Sequence, residues 1–423
     1  MESKPPATVI RPRDRSRRLD VVVFGATGFA GRLVAEYLAE RYAGSDIRWA
    51  MAGRSEDKLA RVRAEIAEQH PAAKDVELIV ADSGDRASLD RMAAAAEVVC
   101  TTVGPYALYG DAVVDACIEH GTDYCDLTGE VQWIRKIIDT RQARAESTSA
   151  RIVHCCGFDS IPSDLGVFAL QEAAIARDGA PVEEVRFLLA GAKGGFSGGT
   201  AASLANALKE AKDPAVRKVM GHAYALNPEG ERKGPDRGDQ MGVAKDPVTG
   251  RWTGPFVMAA VNTRVVRRSN ALLGYRYGAD FRYSEVVRFP RGAKGLASAT
   301  AYTAGFAALL GALAVSPTRS LLERFAFPKP GEGPSREAIE RGWFRVVLSG
   351  RTDGREVIGV DVKGRRDPGY GATACMLAES ALCLALQGRE LSSPGGILTP
   401  ASAMGRALVE RLNAQDVAFQ IRS

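Results

Sequence analysis

The eleven residues Val21-Val-Val-Phe-Gly25-Ala-Thr-Gly28-Phe-Ala-Gly31, near the amino terminus, narrow the choice of fold more than any other feature of this chain. Their short apolar run lacks polar alternation and reads as a strand covered on both faces. Glycines at 25, 28 and 31 follow it directly, and a helical pattern opens at Gly28. Gly25 suits a tight turn at the strand end, and Gly28 lets a backbone approach a pyrophosphate closely. Gly31 permits close packing of helix on strand, and the helix start adds N–H donors and a positive dipole end. The loop predicts a dinucleotide-binding unit, with Thr27, Phe29 and Ala30 completing the cradle.

The rest of the first half agrees with that unit. Strand-like runs at Val21–Phe24, Ile47–Ala52, Val76–Ala81, Val98–Val103, Asp123–Leu127 and Ile152–Cys156 alternate with helical stretches. The helical stretches are Gly28–Tyr42, Glu56–Gln69, Gly110–His120 and Val131–Glu146. This order predicts an α/β fold, a Rossmann-type doubly wound parallel sheet over residues 20–160. Beyond Gly157 the rhythm changes. Strands at 182–190 and 279–289, and a hairpin of Phe344–Leu348 with Val357–Val362 turning at Asp353-Gly354, predict a second α+β domain. That domain, 161–368, should carry a mixed or antiparallel sheet for substrate binding or oligomerisation. Asn227–Gly254 and Pro328–Ser335 read as surface loops. Residues 369–423, led by the helix-like Tyr370–Leu386, read as helices returning to the first domain.

Charge and cysteine usage remove several function classes. The net charge is +5, much of it local to Arg11, Arg13, Arg15, Arg17 and Arg18. Without interleaved aromatics this cluster reads as a flexible basic tail over residues 1–19, and nucleic acid is not an expected partner. Seven cysteines, an odd number without a C-x-x-C pair, read as reduced thiols of a cytoplasmic protein. No apolar stretch follows the amino-terminal charges as a secretory signal requires. The four histidines are scattered, and no metal site is expected. Leu296–Val315 holds twenty residues without a charge. Three readings stay open for it: a buried or hairpin helix, a membrane-surface patch, and a membrane span.

The second strand decides which dinucleotide binds. Its tip reads Ala52-Gly53-Arg54-Ser55, without the carboxylate that takes the ribose hydroxyls of NAD. Arg54 can fork onto a 2′-phosphate, Ser55 can donate to it, and Lys58 stands one helical turn on. NADP is the expected cofactor. Asp82 and Ser83 end the third strand, on the adenine side. Thr102, Val103, Gly104, Pro105 and Tyr106 end the fourth, where the nicotinamide is expected.

These motifs join others: Cys125-Asp-Leu-Thr-Gly-Glu130, Cys156-Gly-Phe-Asp-Ser-Ile-Pro-Ser-Asp164, Ser197-Gly-Gly-Thr200, Asn262–Leu272 and Leu398–Met404. Together they resemble the saccharopine dehydrogenase-like oxidoreductases, most closely the trans-acting enoyl reductases, from about residue 20 onward. The resemblance implies NADPH-dependent reduction of a carbon–carbon double bond in a polyketide or fatty-acyl thioester held by a synthase acyl carrier, for complex lipid synthesis. Such a reaction needs a hydride at the β-carbon, a donor for the enolate oxygen and a proton for the α-carbon. Tyr106 is the first candidate donor; Asp126, Glu130 and Asp159 are expected on the same rim, with helix capping as their alternative role. Ser160 and Ser163 read as caps. Gly194–Thr200 reads equally as a substrate loop or a flexible one. Two rival readings remain, an imine oxidoreductase with Arg282 and Arg288 on substrate carboxylates, and a non-catalytic NADP-binding, lipid-associated protein. A homodimer and a peripheral membrane contact stay open.

Overall fold

The computed structural model describes residues 17–194, 206, 209–315, 317–318, 333–388, 390–391 and 393–422. The chain forms two units. The first takes the residues up to Thr128, then Lys136–Gly157 and Tyr370–Asp416; the second takes Gly129–Arg135, Phe158–Gly369 and the stretch from Val417.

In the first unit seven parallel strands lie in the order β13-β6-β5-β4-β1-β2-β3. They are β1 (Leu19–Phe24), β2 (Trp49–Gly53), β3 (Glu77–Val80), β4 (Ala96–Thr101), β5 (Asp123–Cys125), β6 (Arg151–Val153) and β13 (Gly396–Leu398). The Val-rich runs are buried throughout β1 because helices cover both faces. One of these is Thr373–Gln387, whose residues from Thr373 to Leu386 are all buried and which packs on Phe29–Arg41. Its Glu379 accepts hydrogen bonds from Tyr37 and Tyr42 (2.7 Å each) and pairs with Arg411 (2.7 Å), so the buried charge is partnered. The helix Arg86–Ala95, capped by the Asp85 side chain, and strand β13 add to the elements expected from the sequence.

The second unit carries a mixed sheet, β14-β12-β11-β7-β10-β9-β8. Its strands are β7 (Glu184–Lys193), β8 (Ala244–Lys245), β9 (Trp252–Pro255), β10 (Arg282–Arg288), β11 (Trp343–Thr352), β12 (Arg355–Gly364) and β14 (Val417–Arg422). Among the described residues of this sheet only β7 and β10 pair in parallel. The expected hairpin is present, turning at Asp353 and Gly354, both at positive φ. The helix Ile161–Asp178 lies against β11 and β12, with Gly166 against Leu348: a Cβ there would meet Leu348 at 2.9 Å.

Several expectations need correction. Asn227–Gly254 is not wholly loop, since it contains β8 and opens β9. The chain end is not all helical: β14 pairs with β12. Arg17 is no tail residue, because its guanidinium donates to the Ala93 and Ala96 carbonyls (3.0 and 2.6 Å). Leu19 already belongs to β1. Arg11, Arg13 and Arg15, the loop 195–200 and the first part of 328–335 lie outside the described residues. Leu296–Val315 is helical as far as Ala314, as part of Gly292–Ala314, yet it is largely exposed rather than core.

Candidate active site

Because all strands of the first unit run parallel, their carboxyl ends share one rim, where ligands of such sheets bind. Gly25 stands there at φ +95°, and a Cβ would lie 2.8 Å from Thr102 Oγ1. Its N–H donates to the Ala52 carbonyl (2.9 Å), and the Gly28 N–H returns to the Gly25 carbonyl (2.9 Å). The loop is thereby tied to the tips of β1 and β2. Gly31 is packed hard against it, with a would-be Cβ 2.2 Å from the Gly25 carbonyl oxygen. Gly28 differs: it is exposed, in extended backbone, and a Cβ would meet only that oxygen, at 3.3 Å.

Gly28 caps the helix Phe29–Arg41 without a side chain, and the first helical bond runs from Arg32 N–H to the Gly28 carbonyl (2.9 Å). The amides of Phe29, Ala30 and Gly31 precede that ladder and point out of the helix start. A side-chain-free cradle at a helix terminus fits a pyrophosphate. Thr27 completes it, its Oγ1 3.7 Å from a Cβ placed on Gly53 at the tip of β2.

Beyond that tip, Arg54 and Lys58 are exposed and Ser55 caps the helix Glu56–Ala67, its Oγ accepting from Lys58 N–H (3.4 Å). Two exposed cations and a hydroxyl beside a strand tip without carboxylate suit a 2′-phosphate. Asp82 is half-buried after β3 and accepts from Gly84 N–H (2.8 Å), shaping the turn that contains Ser83. At the end of β4, Thr102 N–H donates to the Phe24 carbonyl (2.9 Å), which fixes Val103 next to the glycine loop. A cis peptide joins Gly104 to Pro105, and Pro105 caps the short helix Tyr106–Tyr109.

The structure brings Tyr106 and Asp126 into one region and sets Asp159 and Glu130 in the second unit. Tyr106 is buried; its hydroxyl donates to the Thr101 carbonyl (3.2 Å) and accepts from Leu127 N–H (3.4 Å). Asp126 is buried as well and is a hub. It accepts from Tyr124 hydroxyl (2.9 Å), Thr128 N–H (3.1 Å) and Cys155 N–H (3.1 Å), and lies 2.7 Å from His154 Nδ1. Cys155 reaches it from φ +66°, a backbone state costly for a side chain of this type. His154 is a partner that scattered histidines in a sequence do not reveal. Burial against Asp126 pushes the Tyr124 phenol far above its usual range.

Asp159 is half-buried, and burial pushes its carboxyl up to about 6. Among the described residues no hydrogen bond engages that carboxylate. Ser160 and Ser163 are not caps by side chain. The Ser160 hydroxyl donates to Asn262 Oδ1 (3.0 Å), and Asn262 Nδ2 donates to Ser163 Oγ (3.2 Å) and to Glu285 (3.0 Å). Tyr283 donates to Glu285 from the other side (2.7 Å), and Ser269 bonds Asp164. The motifs at 156–164 and 262–272 therefore meet in one buried polar network. Burial pushes the Glu285 carboxyl up to about 7, against the lowering by its hydrogen-bond donors. Arg282 and Arg288 stand at opposite ends of β10, about 20 Å apart at strand rise, and do not form one carboxylate clamp.

All seven cysteines are buried and outside any disulfide. Among the described residues no cluster of histidine, cysteine and carboxylate fits a metal ion. A cleft lined by Arg18, Leu38, Tyr42, Arg48 and Trp49 lies at the amino ends of β1 and β2, away from the rim.

The nucleotide cradle has known relatives. Residues 21–153 match the saccharopine dehydrogenase NADP binding domain family. The fold and cradle thus define a saccharopine dehydrogenase-like, NADP-dependent oxidoreductase. A trans-acting enoyl reductase of Mycobacterium ulcerans is 40% identical over 410 residues, 94% of this chain and 96% of its own. A Mycobacterium tuberculosis protein provisionally given the same name is 43% identical over 419 residues, 96% of this chain and 97% of its own. Among solved structures, apo saccharopine dehydrogenase (L-Glu forming) from Saccharomyces cerevisiae aligns at 14% identity and a TM-score of 0.47, over 95% of this chain and 99% of that one. The chain belongs to the trans-acting enoyl reductase family.

Proposed function

We propose that this protein works in the cytoplasm on an α,β-unsaturated polyketide or fatty-acyl thioester. The acyl carrier of a polyketide synthase presents it in trans, and its double bond is reduced for complex lipid synthesis. The observation that carries this reading is near-full-length likeness to proteins named trans-acting enoyl reductases, joined to a cradle that fits NADP. Bound NADPH supplies the hydride that adds to the β-carbon. Gly28 and the amides of Phe29–Gly31 would hold the pyrophosphate, and Arg54, Ser55 and Lys58 would hold the 2′-phosphate. As the β-carbon gains its hydrogen, the double-bond electron pair moves toward the thioester oxygen, and the α-carbon then takes one proton.

Asp159 suits that proton transfer best among the acidic candidates, since its carboxyl is raised to about 6 and committed to no hydrogen bond among the described residues. Tyr106, bonded to backbone groups, and Asp126, bonded to Tyr124, His154 and two backbone amides, hold the ends of β4 and β5 in place. A proton donor is competent only while protonated, so kcat/KM should be flat below about pH 6 and fall above it. In a stopped assay with an enoyl thioester, Asp159→Asn should lower the rate roughly a hundredfold or more and lose that limb, with NADPH affinity kept. A variant with the parent's rate and pH profile removes Asp159 from the reaction.

A further inference from the structure

The helix Gly292–Ala314 has 23 residues and is about 34 Å long. One stripe faces its own unit: Gly295, Ala299 and Leu313 are buried and Thr303, Phe306 and Leu310 half-buried. The other described residues are largely open and, apart from Lys294, Ser298 and Thr300, apolar, with Leu296 41%, Tyr302 36% and Leu309 43% exposed. Only 11% of its most apolar window is buried, against 94% for the other long apolar helix, Pro368–Gln387. An apolar surface this continuous marks a binding face.

Charge indicates what binds. Between Val286 and Leu322 the chain carries Arg288, Arg291, Lys294 and Arg319 and no acidic residue. Arg291 and Lys294 are exposed at the helix start, where Arg291 also donates to the Thr249 carbonyl (2.8 Å). Arg251 and Arg288 lie close by: burial and the charges of Arg251, Arg345 and Arg422 hold the Arg288 guanidinium below its usual range, against the pull of Asp361. Aromatic rings run from that end to the middle of the helix. Phe289 and Tyr302 are 5.4 Å apart, Tyr302 and Phe306 are stacked at 6.5 Å, and Trp252 Nε1 donates to the Gly292 carbonyl (3.0 Å). Basic residues and amphipathic rings beside an apolar face match the headgroup region of an anionic bilayer.

The topology rules out a single crossing. β10 precedes the helix, β11 follows it, and both pair with β7, so the two flanks share one side. A return crossing would have to use 316–342, which contains Arg319, Glu323, Arg324, Lys329, Glu332, Arg336, Glu337, Glu340 and Arg341. We propose that Gly292–Ala314 lies in the plane of an anionic membrane surface, its open face in the acyl boundary and Arg291 and Lys294 among the lipid headgroups.

The inference does not depend on the enoyl-reduction reading. Its test is co-sedimentation of the full-length protein with vesicles of phosphatidylcholine alone and of phosphatidylcholine mixed with phosphatidylglycerol. Binding is expected to the mixed vesicles only, weakening as salt rises. The double variant Arg291→Glu/Lys294→Glu, and separately Leu296→Glu/Leu309→Glu, should each lower partitioning about tenfold or more. NADPH affinity serves as the fold control, and turnover of a soluble enoyl thioester reports separately on the enzymatic reading; both should stay unchanged in the variants. No vesicle binding, equal binding to neutral vesicles, or variants that bind like the parent would overturn the proposal. So would a dimer in sedimentation velocity that Leu309→Glu dissociates while vesicles go unbound, because the face would then belong to a second copy.

Discussion

Replacing Gly28 by valine separates the cradle from the fold. Its φ of −83° and ψ of 164° are extended backbone that a β-branched residue adopts readily. The added Cβ would touch only the Gly25 carbonyl oxygen at 3.3 Å, and the side chain would project into the exposed space before the helix start. The cost to stability should be under ~1 kcal/mol, about the scale of an ordinary surface substitution. The same change at Gly31 would press a Cβ to 2.2 Å from the Gly25 carbonyl oxygen and 2.7 Å from Thr102 Oγ1, so Gly31→Val should damage the fold itself. For ligand binding the order differs. Losing two charge-assisted bonds of ~1.5 kcal/mol each removes ~3 kcal/mol, about a hundredfold in NADPH affinity. Thermal melting paired with a fluorescence titration of NADPH reads both quantities. Gly28→Val should melt like the parent and bind about a hundredfold more weakly. Parent-like affinity in the folded variant would refute the placement of the pyrophosphate.

Two further outcomes follow from the same structure. NADPH should bind at least about tenfold more tightly than NADH, ~1.4 kcal/mol, and Arg54→Asp should erase most of that margin. Arg54 is exposed, so the preference should shrink as salt rises, and an unchanged preference in the variant removes the ribose-pocket assignment. Glu285 is a probe of the buried network. Its folded-state carboxyl sits at about 7 against an ordinary 4.5, so the unfolded chain gives up the proton first as pH rises. Its contribution to stability is fully present below about pH 4.5 and is lost as pH rises toward 7. Glu285→Gln should flatten Tm across that window; an unaltered Tm–pH curve would show that Glu285 does not titrate there.

The nucleotide half of the chain was readable because its signals are local. Short Val-rich runs between helical stretches and a glycine loop specify strand, turn and helix over a few residues each, and β1 to β6 fall where those runs stand. The hairpin at Asp353-Gly354 was readable for the same reason, since the turn itself needs two residues at positive φ. What escaped was set by distant pairing. β13 is three residues long and exists as a strand only through its pairing with β6, more than two hundred residues earlier. Ser160 reads as a cap, Asn262 only as the start of a motif and Glu285 only as part of a strand, and the fold buries them together. Asp126 reads as a rim carboxylate, and only the structure shows His154 and three donors closing on it. Leu296–Val315 was ambiguous because apolar composition is common to a core helix, a surface helix and a span; exposure and the shared pairing of β10 and β11 with β7 distinguish them.

The central claim, NADPH-dependent reduction of a conjugated acyl thioester, is tested most directly by where a labelled hydrogen goes. The protein is incubated with NADPH carrying deuterium at the transferable position and an enoyl thioester on an acyl carrier, and the released acyl chain is examined by mass spectrometry and NMR. The account predicts a saturated chain with deuterium at the β-carbon and a solvent hydrogen at the α-carbon. Deuterium at the thioester carbonyl carbon, or an unsaturated chain recovered unlabelled while NADPH binds tightly, would contradict it.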